Sequence, residues 1–136
     1  MFYTHLSSVV FLPHHAHFVR NDDGTYTKTC NHVMRSTVAY EIDTEKRTVT
    51  FGMSFCSAND AFSRRKGRGI ASSRQRTCGV TIPLLKGTSE TKDEALKAIL
   101  SYLNDYNVAE KKQEIYGFPR TWENCHFLEK NETFSF

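Results

Sequence analysis

No run of apolar residues in this chain approaches the roughly 20 that a membrane-spanning helix requires, so no helical span is expected. The opening residues MFYTHLSSVVFLPHH hold an apolar patch but lack a basic leading segment and a small-residue cleavage site, so no signal peptide is expected. Repeats, low-complexity tracts and internal linkers are also missing, and the 136 residues read as one domain around one core. A large charge excess is missing too. The 18 Lys and Arg against 15 Asp and Glu leave a formal +3, too mild for indiscriminate coating of DNA and of the wrong sign for a DNA mimic. The four cysteines, Cys30, Cys56, Cys78 and Cys125, lack a regular spacing, and a chain of this size needs no covalent staples. Free thiols in a reducing cytosol are expected. There is no zinc-finger spacing and no RRM or KH signature.

What is present reads as β in the first half. LSSVVFL (6–12) ends at Pro13, and HAHFVR (15–20) and TYTKTC (25–30) flank Asn21-Asp22-Asp23-Gly24, a hairpin turn in which glycine accepts positive φ. STVAYEI (36–42) alternates, with Val38, Tyr40 and Ile42 on one face; Asp43-Thr44-Glu45-Lys46 makes the next turn. TVTFGMSF (48–55) places Val49, Phe51, Met53 and Phe55 on one face and Thr48, Thr50, Gly52 and Ser54 on the other. CGVTIPLL (78–85) returns to period two, and Pro83 assigns it to a sheet edge or a strand end. Two helices are expected. One spans about 59–74, capped by Ser57 or Asn59 with Asp60 complementing its dipole. The other opens on a Thr91/Glu94 capping box, carries a Leu96, Ile99, Leu100, Leu103 stripe and ends near Asn107. Gly117 and Pro119 make 108–136 an irregular, aromatic-rich segment. The fold class is therefore α+β, a single domain with an antiparallel sheet of about five or six strands and two helices.

The chemistry concentrates in FCSANDAFSRRKGRGIASSRQRT (55–77), where six basic residues fall within thirteen positions. On a helix Arg64 and Arg68 lie one turn apart, and Arg65 neighbours Arg68; like charges so placed repel by a few tenths of a kcal/mol per pair. An anion among them removes that cost, and guanidinium forks bind phosphate bidentately. Ser63, Ser72 and Ser73 add hydroxyls, and the Phe62, Lys66, Ile70 face is expected to pack on the sheet. Gly67 and Gly69 each cost about 1 kcal/mol in a helix relative to alanine. Their lack of side chain permits close approach by a ligand, a helix or a strand. A solvated basic face is the simplest alternative, and RNA or DNA binding the next.

Other constellations carry less. His14, His15 and His17 with Cys30 and His32 lack zinc-ligand spacing, and no metal site is expected. Cys125 and His126 do not form a dyad with each other, a dyad of Cys56 or Cys78 needs a distant histidine that the sequence does not bring close, and buried structural cysteine is the better reading. Trp122 and the tail aromatics are read as core or partner contacts before a stacking wall. The aromatic surplus of the tail also favours a homo-oligomer.

FGMSFCSANDAFSRRKGRGIA (51–71), with F-S-R-x-x-G-R at Phe62–Arg68, resembles the phage anti-Thoeris sponge proteins. The resemblance covers about 21 of 136 residues. It implies an oligomeric sheet-and-helix protein of the host bacterial cytoplasm that sequesters a cyclic ADP-ribose-type signal without catalysis and without a cofactor. Phe62, Arg64, Arg68 and Asp60 carry over from the motif. In that reading Arg64 and Arg68 clamp phosphates, and Arg65 and Arg76 add charge. Phe62 packs beneath or stacks on the base, and Asn59 and Asp60 reach sugar hydroxyls or cap the helix. The runner-up is a nucleic-acid-binding protein, or an inhibitor of a nucleic-acid-guided defence complex, using helix 59–76.

Overall fold

The computed structural model describes residues 1–56, 61–84, 91–105, 114–119 and 121–129. Alternating sequences set its frame. Strands β1 (Phe2–Phe11), β4 (Asn31–Asp43), β5 (Thr48–Phe55), β6 (Val80–Pro83) and β7 (Glu123–Phe127) form one antiparallel sheet in the order β6-β5-β4-β1-β7. β2 (His17–Arg20) and β3 (Tyr26–Thr29) form a separate two-stranded hairpin. Helices α1 (Arg64–Cys78) and α2 (Thr91–Asn104) complete the α+β domain read from the sequence. Pro83 sits on the edge strand β6, where its missing N–H costs no ladder bond.

The register sorts the side chains into two unlike faces. Val38 pairs with Met53, Tyr40 with Phe51 and Val49 with Ile82, so one face is largely apolar, with Ser8 and Ser36 buried among its side chains. Leu6, Val10 and Met34 extend it, and Ala95, Ala98, Ile99 and Leu103 of α2 close over it in one continuous core. Each fully buried aliphatic or aromatic side chain there is worth about 1.5–3 kcal/mol. Ile115, Phe118, Trp122 and Phe127 belong to the same core. Phe55 meets Phe118 and Trp122 edge-on at 5.1 and 5.4 Å. The irregular reading of 108–136 is thus corrected. Its residues 123–127 pair with β1 as the fifth strand of the sheet, and Trp122 and Phe127 are buried in the core at 2% and 1% exposure. Phe134 and Phe136 lie outside the described residues.

The opposite face is small and polar: His5 pairs with Thr37, Ala39 with Gly52, and Thr37 with Ser54. Here α1 packs, but not on the predicted side. Its buried residues are Ala71, Ser72 and Gln75, while Lys66 and Ile70 are exposed. Gly67, Ala71 and Gln75, spaced by four, make the contact row. A Cβ on Gly52 would stand 2.3 Å from Gln75 N and 2.8 Å from Ala71 O, and one on Gly67 would stand 2.6 Å from Thr37 Oγ1. Gly67 therefore admits a strand, one of the three partners its lack of side chain allows.

Boundaries also shift. α1 begins at Arg64, with Ser63 Oγ accepting from Lys66 N at 3.3 Å, not at 59. It runs to Cys78, so Cys78 leaves the predicted strand. The Ser57 and Asn59 caps lie outside the described residues. α2 starts at Thr91 as expected and ends at Asn104, not Asn107. Glu94 does not serve a capping box. Its buried carboxylate accepts from Arg47 Nη2 at 2.7 Å, the one ion pair among the described residues. Arg47, at φ 56°, leaves the Asp43 turn in the left-handed region and delivers its guanidinium there.

Gly52→Ala is expected to lower stability by about 1–3 kcal/mol, since helix backbone must move to admit the methyl. Gly69, which meets nothing within 4 Å, provides the contrast. Gly69→Ala is expected to raise stability by up to about 1 kcal/mol through helix propensity alone. Urea unfolding midpoints of the two variants, at unchanged slope, read both signs.

Candidate functional site

Fixing the 67-71-75 row on the sheet fixes every other row of α1. At about 100° per residue, Arg64, Arg68 and Ser72 flank the contact on one side, and Lys66, Ile70 and Arg74 on the other. The first flank stands over β1. Tyr3 hydroxyl and Ser72 Oγ lie 2.7 Å apart, and Ser72 Oγ donates to Arg68 O at 2.7 Å. Below them His5 places Nδ1 2.9 Å from Thr37 Oγ1 and meets the Phe62 ring edge-on at 5.5 Å. Arg35, from β4, lays its guanidinium over the same ring, 4.7 Å from its centroid.

Three guanidiniums thus lie close enough to one imidazole to act on its charge. Burial and then Arg64, Arg68 and Arg35 hold the His5 pKa below its ordinary value, so His5 is neutral near pH 7. No carboxylate among the described residues pairs with any of these arginines. Arg35 Nε is shielded from water and finds no acceptor among the described residues. Arg64, Arg65 and Lys66 also occupy the first turn of α1, which contains no acidic residue. They add charge where the helix dipole is already positive. The result is a positive site with an aromatic plane and hydroxyls at its rim, suited chemically to an oxyanion attached to a flat or sugar-like group.

On the second flank, a cleft of about 220 Å³ runs beside Phe62, walled by Phe55, Ala61, Lys66 and Ile70 with Ser36 at its side. Ser36 Oγ is buried and finds no hydrogen-bond partner among the described residues. Arg74 is already engaged. It donates to Met53 O at 2.9 Å, where β5 runs past the end of β6, and its guanidinium stands 5.3 Å from the Tyr116 ring.

Of the residues singled out in the sequence, Phe62, Arg64 and Arg68 come together. Arg65 and Arg76 are exposed farther round the helix and do not act on His5. Asn59 and Asp60 lie outside the described residues. Ser63 caps the helix instead of facing an anion. Trp122 is 2% exposed in the core, so it offers no stacking wall. Sequence reading missed Arg35, His5 and Tyr3. Their signal was strand phase: Tyr3, His5, Arg35 and Thr37 share the polar face that Thr50 and Ser54 already marked. The histidines of the hairpin form no metal cluster among the described residues; His17 and His32 stack at 4.3 Å. Comparison with protein-family models, curated proteins and solved structures gave no match.

The neutral His5 predicts a pH effect. A histidine whose folded pKa is depressed stabilises the fold above its unfolded value, 6.5, and that contribution is lost as pH falls through the folded pKa. His5→Asn is expected to remove this part of the acid limb. Urea unfolding of both proteins from pH 7.5 to about 4.5 should give curves that converge as pH falls below about 6.5.

Proposed function

We propose that this protein binds and holds a phosphate-bearing nucleotide signal without transforming it. The observation that carries this reading is the convergence of Arg35, Arg64 and Arg68, from two elements, on a site with no carboxylate partner among the described residues. Phosphates sit on the arginines. Phe62 and the adjoining cleft receive a ring or a sugar. Among nucleotides, the resemblance of residues 51–71 to anti-Thoeris sponges makes a cyclic ADP-ribose isomer the first choice. The role is then phage counter-defence in the cytoplasm of a bacterial host. Among the described residues no helix is long and apolar enough to cross a membrane.

A homo-oligomer remains part of this reading on altered grounds. Phe118, Trp122 and Phe127 are consumed by the chain's own core. Tyr3, 41% exposed, lies beside the arginine flank, where a second copy would close the site, and Phe2 is exposed at the same end of β1 on the opposite face. The second reading, nucleic acid tracked by α1, is favoured by the outward exposure of Arg65, Lys66 and Arg76. Salt separates the two. A phosphate-tracking surface loses affinity steeply with salt, whereas an enclosed pocket loses less.

Thermal unfolding with cyclic ADP-ribose isomers, cyclic di- and trinucleotides and a short RNA tests the proposal. A ligand at a hundred times its dissociation constant adds about 2.7 kcal/mol, enough to raise the midpoint by several degrees. The expected result is a shift with a cyclic nucleotide, lost in Arg68→Ala and in Arg35→Gln, with the ligand recovered intact after heating. No shift with any nucleotide, or recovery of a converted product, overturns it.

A further inference from the structure

The β2–β3 hairpin is unused by the site above, and its two faces are unlike. One is anchored. His17 and Val19 are half-buried, His17 stacks on His32, and His17 Nε2 lies 2.6 Å from Asn31 O. The tip is tied as well. Gly24 takes φ 85°, Asn21 Nδ2 donates to Thr25 and Thr27 hydroxyls at 2.9 Å each, and Asp23 Oδ1 accepts from Thr25 N and Oγ1. An isolated two-stranded hairpin is marginal in water, so this tying holds its other face in a set orientation.

That other face presents Phe18, Arg20, Tyr26 and Lys28. The register sets Phe18 opposite Lys28 and Arg20 opposite Tyr26, and all four are exposed. Phe18 is 68% and Tyr26 64% exposed, more than any other large hydrophobic among the described residues. Among those residues neither ring has an aromatic or cationic partner. Each ring stands directly across the ladder from a cation, at a Cβ separation of about 5 Å, and the two rings lie on a diagonal of about 7–8 Å. Flat apolar planes alternating with fixed positive charge match a strand of alternating bases and phosphates. A folded acidic protein surface offers charge for Arg20 and Lys28 but no stack for two free rings. An anionic bilayer approached by the tip would meet the carboxylates of Asp22 and Asp23 first.

We infer that this hairpin face docks single-stranded nucleic acid, with Phe18 and Tyr26 stacking on bases and Arg20 and Lys28 contacting the phosphates between them. This surface is independent of the arginine site on α1 and stands or falls without it.

Fluorescence anisotropy of a labelled oligo(dT) or oligo(rU) of about 12 nucleotides, titrated with the full chain at low and moderate salt, tests it. The expected result is binding that weakens at least about tenfold in Phe18→Ala/Tyr26→Ala. In Arg20→Gln/Lys28→Gln the salt slope should fall by about 0.7 per lost contact. All four side chains are exposed, so unchanged thermal midpoints are expected to certify folding. Absence of binding at low salt overturns the inference. So does binding that both hairpin variants retain while Arg68→Ala loses it, which assigns the strand to α1. Equal binding to anionic phosphatidylserine vesicles that the same variants abolish also overturns it, because the face is then a lipid surface.

Discussion

The close approach of α1 to the sheet governs the rest of the structure. Gly52 and Gly67 leave no side chain between them and their neighbours, and helix backbone at Ala71 and Gln75 comes down almost onto strand β5. A helix held this low cannot roll without driving backbone into backbone, so its azimuth is set by sterics and not by an apolar stripe. Its buried row is glycine, alanine and glutamine, which the hydrophobic effect alone would not choose. The Gln75 amide donates to Thr50 O at 3.4 Å and Ser54 Oγ donates to Gly67 O at 2.9 Å, so the polar groups trapped in the contact are paired.

Once the azimuth is set, the arginines divide by row. Arg74 falls toward the end of β5 and takes up a carbonyl and an aromatic ring. Arg47, delivered by a left-handed turn, satisfies a buried carboxylate. These two cations are spent on the fold. Arg64 and Arg68 fall instead over β1, where Arg35 already waits against Phe62, and nothing described neutralises them. One residue type thus serves two purposes, and only position on the helix separates them.

This division explains what the sequence could and could not disclose. Period-two alternation in 48–55 was legible because both faces are buried with different chemistry, and the Asn21–Gly24 turn because glycine takes its positive φ without steric cost. Pro83 announced an edge strand for a covalent reason. The apolar Phe62, Lys66, Ile70 pattern misled because it matched helical spacing, whereas the true contact row is held by fit between glycines and carries little hydrophobicity. Glu94 misled similarly: its capping-box spacing was satisfied in sequence, but Arg47, 47 residues away, took its carboxylate. Strand β7 was hidden behind Gly117 and Pro119, since local turn chemistry says nothing of what Trp122 gains in the core. At the site, Arg64, Arg68 and Phe62 were legible as a cluster on one helix. Arg35 and His5 were not, because they reach it across 27 or more residues through strand pairing.

The magnitudes show why such a site is tolerated. Repulsion between Arg64 and Arg68 costs a few tenths of a kcal/mol, and cations at the positive end of a helix add about 0.3–1 kcal/mol. A shielded guanidinium nitrogen without an acceptor costs about 1–3 kcal/mol more. One or two of the fully buried side chains on the far face, such as Phe51 or Ile99, offset the whole of this at about 1.5–3 kcal/mol each. The sheet separates the two accounts physically, with the apolar core beneath and the charge above. An oxyanion bound at the upper face, as the proposed function requires, would relieve the repulsion and the helix-end cost without disturbing the core.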